Sequence, residues 1–178
     1  MNEVEVYQYL DKLVMQPIRV MGRASNMLWI GIGEKVKKLD KKGKEVERSA
    51  YSLHVQCMWR IVNKEKMDIL LASSDFYSPN KDIDDYSNFD WEPQGNNLFD
   101  KKSQNWLKKE SPIYIKECKL NLWGDLLIVF TNNDRLEIFI SSSNDTEGWR
   151  LFEAEDGKPH LVATGLGIGF YNPVIGRD

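Results

Sequence analysis

Residues 53–62, LHVQCMWRIV, alternate with a period of two. Leu53, Val55, Cys57, Trp59 and Ile61 fall on one side, and His54, Gln56, Met58 and Arg60 on the other, which is the pattern of a strand with one apolar face. A helix would also put Ala50, Leu53, Cys57 and Ile61 on one stripe. It would then need a second apolar stripe at Tyr51, Val55, Met58 and Val62 and almost complete burial, so the strand is preferred. Residues 3–15 carry Val4, Tyr7, Leu10, Leu13 and Val14 at helical spacing, with Asn2 as a cap and Pro17 as a stop. A strand is expected at 27–32. A basic hairpin follows over KVKKLDKKGK (35–44), turning at Asp40 and Gly43. After a polar turn at 63–66, another strand spans 67–73. Residues 74–97 have no clear period and read as a long loop, a feature often tied to function. Helical spacing returns at 98–110, with Leu98, Trp106 and Leu107 facing inward. Strands at 113–122, 126–131, 135–141, 149–153, 160–164 and 166–170 are then separated by short Asn/Asp/Gly turns. The expected class is α+β: mostly an antiparallel β meander or a curved, barrel-like sheet, with an N-terminal helix and a helix near 98–110.

Composition narrows the picture without changing it. A chain of 178 residues, 42% hydrophobic and 11% aromatic, suits a single domain over 1–178 that buries about 70% of its unfolded surface. A net charge of −3 gives no general attraction to nucleic acid or to anionic membrane. The longest purely apolar run, Leu126–Phe130, is far short of the ~20 residues that span a bilayer. The opening MNEVEVYQYLDKLV lacks the basic-then-apolar order of an export signal, so a cytoplasmic location is expected. Cys57 and Cys118 are too few and too far apart for a metal site, and two reduced thiols are expected. Residues three apart on a strand face opposite ways, so His54 cannot activate Cys57, which instead reads as a small core residue.

The polar face of 53–62 is the first candidate site. If His54, Gln56 and Arg60 are covered, they need partners. Asp75, Glu147 and the acids of 82–92 are the candidates, and Arg150, beside Trp149, has the same character. Such a cluster either braces the sheet or holds a small anionic ligand by bidentate contact and stacking. The second candidate is the acidic stretch with Asp82, Asp84, Asp85, Asp90, Glu92 and Asp100 but no Lys or Arg. Interleaved Phe76, Tyr77, Tyr86, Phe89 and Trp91 would give a basic protein partner both steering and anchors. Its Asp82–Asp85 run matches a calcium loop poorly, because Ser87 stands where that loop needs glycine. Gly165, Gly167 and Gly169 do not form a dinucleotide fingerprint. They suggest close approach of a backbone or a ring. No phosphate loop, nucleophile elbow or zinc-protease motif is present, so no catalytic residue, metal ligand or cofactor is assigned.

The segments LHVQCMWRI, LLASSDFY, GDLLIVFTNNDRLEIFISS and TEGWRLF together resemble a family of uncharacterised bacterial proteins. That family shares a Leu-His-x-Gln-Cys-x-Trp-Arg segment, a Ser-Ser-Asp or Gly-Ser-Asp, and a late Glu-x-Trp-Arg. The resemblance covers roughly residues 50–165. It implies shared polar positions at His54, Gln56, Arg60, Asp75, Glu147 and Arg150. In size and acidity such proteins are similar to immunity proteins that neutralise secreted toxins. Three functions follow as expectations. The first is a non-catalytic binding protein using Asp82, Asp84, Asp85, Tyr86, Asp90 and Trp91. The second is a small-ligand or enzymatic domain with a pocket of His54, Arg60 and Arg150. The third is a homo-oligomer subunit, for example a homodimer joined at the 165–170 strand or another sheet edge.

Overall fold

A computed structural model describes residues 3–39, 42–63, 65–83, 85–110 and 112–173. Helix α1 (Glu3–Asp11) leads into β1 (Pro17–Ala24), β2 (Met27–Leu39), β3 (Glu45–Val55), β4 (Met58–Asn63) and β5 (Asp68–Ala72). Two 3-10 turns, Ser73–Tyr77 and Tyr86–Asn88, interrupt the long loop before helix α2 (Leu98–Glu110). The chain finishes through β6 (Ile113–Leu120), β7 (Leu126–Phe130), β8 (Asp134–Phe139), β9 (Glu147–Glu153), β10 (His160–Thr164) and β11 (Gly167–Tyr171). The class is α+β, as the sequence pattern predicts. Among the described residues, no helix is long and apolar enough to cross a membrane.

All these strands join one antiparallel sheet in the order β11-β10-β9-β3-β2-β1-β6-β7-β8-β4-β5. It is four short meanders spliced together, at β9–β3, β1–β6 and β8–β4. The sheet does not close, since β11 and β5 remain as edges, so the barrel-like alternative gives way to an open, folded-over sheet. β3 lies fourth from one edge and β4 second from the other, yet only Gln56 and Cys57 separate them in sequence. The sheet must therefore fold over on itself, with the chain turning the corner at a bend. Residues 53–62 are accordingly two strands, not one. The amides of Gln56 and Cys57 both donate to the Gly148 carbonyl, at 2.7 and 3.1 Å, which fixes the corner. The alternation survives the bend: Leu53, Val55, Trp59 and Ile61 are buried, while Gln56, Met58 and Arg60 are exposed.

The core fills the fold between the two halves. Trp149 is fully buried and its indole donates to the Gly124 carbonyl at 2.8 Å, tying β9 to the β6–β7 turn. Trp59, Phe76 and Phe99 pack edge to face, with ring centroids 4.8–5.8 Å apart. Helix α2 covers one open side: Trp106 packs at a tilt against Phe130 and donates to buried Asp134 at 2.7 Å. Trp106 faces inward as expected, and Phe99, which the spacing did not mark, does so as well. Helix α1 stops four residues earlier than expected, because the Met15 amide bonds to the Ile115 carbonyl of β6 instead of continuing the helix. Its inward stripe is Val6, Tyr9 and Leu10, whereas Val4 and Tyr7 are exposed.

Candidate functional site

The long loop is built around a buried ion pair. Arg23 of β1 and Asp100 of α2 are only 5% and 6% exposed, and two guanidinium nitrogens meet the two carboxylate oxygens at 2.9 Å each. The same guanidinium donates to the carbonyls of Glu92 and Pro93 at 3.0 and 3.1 Å. Asp100 also accepts from the Gly95 amide at 2.6 Å. Asn97, fully buried, caps α2 by accepting from the Asp100 amide at 3.0 Å, and its own amide nitrogen donates to the Trp91 carbonyl. The loop's return limb, residues 91–97, is thus pinned to the first turn of α2 and to β1. Asp100 is no part of an acidic surface, contrary to the reading that grouped it with 82–92. Its position just inside the helix start also suits the macrodipole.

Apart from buried Asp75 and Phe76, much of the described outer limb faces solvent. Asp82, Asp85, Asp90 and Glu92 are exposed, Tyr86 is 65% exposed, and Trp91 is half-buried against the Tyr77 ring. Asp84 lies outside the described residues. Asp85 accepts from the amide and hydroxyl of Ser87, at 2.8 and 2.6 Å, and from Asn88 at 3.0 Å. The Ser87 bonds, together with that from Asn88, hold the Asp85 carboxyl below its ordinary range. Asp90 likewise accepts from the Glu92 amide at 3.0 Å. These carboxylates therefore shape their own loop while staying open to solvent. Among the described residues, no three His, Cys, Asp or Glu side chains converge as a metal-ligand set.

Four of the six polar positions do come together, on the outer face of the sheet. His54 of β3 and Arg150 of β9 are cross-strand partners. Arg150 grips Glu147 with Nε at 2.7 Å and with a terminal nitrogen on the other oxygen, and Gln56 donates to Glu147 at 3.2 Å. His160 of β10 joins them: its Nδ1 lies 3.3 Å from the Arg150 guanidinium, and its ring stacks on Phe152 at 4.6 Å. His54 meets the other side of this group edge-on to Phe152 at 4.9 Å. Burial lowers the His54 pKa, nearby Arg150 lowers it further, and Glu147 opposes them.

Arg60 and Asp75 belong elsewhere. Arg60 points to solvent from β4, pairs with its cross-strand neighbour Glu137 at 2.6 Å and lies over the Phe139 ring. Its expected partners, Asp75, Glu147 and the loop acids, are not its neighbours. Asp75 sits beneath α2, accepting from the Ala72 amide at 3.1 Å and from Lys102 at 3.3 Å. The bend explains the separation, since it sends His54 and Arg60 to different halves of the sheet. Cys57 does not act with His54 either: burial pushes its thiol up to about 12, and Cys118 to about 12 as well, leaving both protonated near neutrality.

Two hollows among the described residues are lined by side chains other than those of the His54–Arg150 group. One is lined by Leu120, Leu127 and Phe139, the other by Tyr51, Lys38 and Asp156. Arg23, Asn97, His160 and Phe152 were missed from sequence. Asn97 followed three residues later by Asp100 is a helix-start signature, and Arg23 shares the inward side of β1 with Met21. The place of His160 depends on β9–β10 pairing, which local pattern does not reveal. Compared with protein families, with curated proteins and with solved structures, the chain matches none.

Proposed function

We propose that the protein is a non-catalytic binding protein, of the kind that inhibits a basic protein such as a toxin, and that it docks through the outer limb of the 76–92 loop. The observation that carries this reading is the contrast within the loop. Its inner limb is fixed by Arg23, Asp100 and Asn97, while Asp82, Asp85, Tyr86 and Asp90 face solvent. A rigid surface loses little conformational entropy on docking, and an aromatic ring among carboxylates combines an anchor with steering. The pocket reading has less support: Arg150 already directs two guanidinium nitrogens to Glu147 and a third toward His160, and His54, Arg150 and His160 line neither hollow described above.

The test is affinity capture with the wild type beside an Asp82→Asn/Asp90→Asn/Tyr86→Ala variant, followed by titration of the captured protein across ionic strength. The expected result is a basic partner whose affinity falls with salt and drops at least tenfold in the variant, with thermal stability unchanged. Equal binding by both proteins, or affinity indifferent to salt, removes the loop as the docking surface.

A further inference from the structure

The two edges of the sheet are treated differently. β5 begins with Asp68, with Lys66 two residues before it, and the Ser73–Tyr77 turn and α2 pack against it. Charges and covering elements of this kind keep an edge from pairing with another chain. Among the described residues β11 has neither guard. No charged residue occurs between Leu161 and Gly176, and β10 is its sole strand partner among the described residues. This uncharged stretch stands out in a chain that is 29% charged.

The β11 edge also complements itself. Ile168 and Phe170 face the core, Ile168 buried and Phe170 half-buried against Tyr9 at 5.3 Å. Gly167, Gly169 and Tyr171 occupy the opposite face. Nothing lies within 4 Å of the place a Cβ would take on Gly167, while Tyr171 is 54% exposed. We infer that β11 is a dimerisation edge, at which a second copy of this chain adds its own β11 antiparallel across a two-fold axis through Gly169. In that register Tyr171 stands directly opposite the second copy's Gly167, and its ring, which leans on its own Gly169 in the single chain, turns across to fill that empty face. Ile168 then faces the second copy's Phe170, extending both cores with a cross-strand apolar pair. The contact is isologous, so it closes at two copies and does not propagate. A strand pair this short is a small interface, which suits an association in the micromolar range.

The test is light scattering coupled to gel filtration from low to high micromolar concentration, together with cross-linking and deuterium exchange. The wild type should approach twice the monomer mass as concentration rises, and amides of 167–171 should gain protection in step. Tyr171→Lys should weaken association at least tenfold while the monomer stays folded. Gly169→Cys should form an intermolecular disulfide, whereas Ile69→Cys on the β5 edge should not; the raised thiol pKa values of Cys57 and Cys118 limit background. A monomer at every concentration overturns the inference. So does a dimer in which exchange at 167–171 is independent of concentration, a readout that needs no variant.

Discussion

Arg23 is the side chain on which the acidic loop depends. It is a buried cation whose hydrogen bonds go to one carboxylate and to loop carbonyls. Asp100→Ala would strand it, and losing one member of a buried pair costs about 3–5 kcal/mol. Urea unfolding should show that loss, and the double change Arg23→Met/Asp100→Leu should recover part of it, because no charge is then left uncompensated. Arg60 is the control. Its ion pair with Glu137 is solvent-exposed, so Arg60→Ala should cost only about 0–1 kcal/mol in the same assay. His54 adds a pH dependence of definite sign. Burial holds its folded pKa below the ordinary imidazole value of 6.5, so the native state prefers the neutral ring. The stability this gives is fully present above the unfolded pKa and is lost as pH falls through the window below it. Thermal melts of the wild type should lose stability below about pH 6.5, and His54→Gln should flatten that part of the profile.

At the scale of elements, glycines separate close approach from conformational need. At Gly165, in the β10–β11 turn, an added Cβ would overlap the Ser142 carbonyl, a backbone atom that cannot swing aside. Gly165→Ala should therefore cost about 2–3 kcal/mol. At Gly43, φ is +75° and the space is open, so Gly43→Ala should cost only the left-handed strain, about 1 kcal/mol, and melting temperatures of the two variants will rank them. The approach to a backbone expected of Gly165 was thus visible in sequence, while the empty face of Gly167 was not. Helix α2 was legible to its ends from its helical spacing alone, and the Asn97 cap, which was not read, stands where that spacing begins. The period-two runs gave β5 to β11 to within two residues, but β1 was not marked, β2 was ended at 32 and β3 was begun at 53 in place of 45. The bend at Gln56–Cys57 was hidden, because the alternation passes through it unchanged and the Gly148 carbonyl that fixes it lies about ninety residues further on. That concealed corner is why Arg60 seemed to belong with His54.

At the scale of the molecule, class was legible and connectivity was not. Turn residues between short strands announce antiparallel pairing, yet nothing local says that β3 pairs with β9 or β4 with β8. Those pairings decide which polar residues meet, so four of the six candidate positions come together while Arg60 and Asp75 lie elsewhere. They also set an order of events. The hairpins β1–β2–β3, β4–β5 and β6–β7–β8 can form as their residues become available, but β3 stays without one neighbour until β9 is present, and distant pairings must pay loop-closure entropy first. While the chain is emerging from the ribosome, β3 therefore offers an incomplete edge and an uncovered apolar row until nearly the last strands have been made. For this protein the most dangerous moment for aggregation precedes the finished fold, when a nascent β3 has been synthesised and its true neighbour has not.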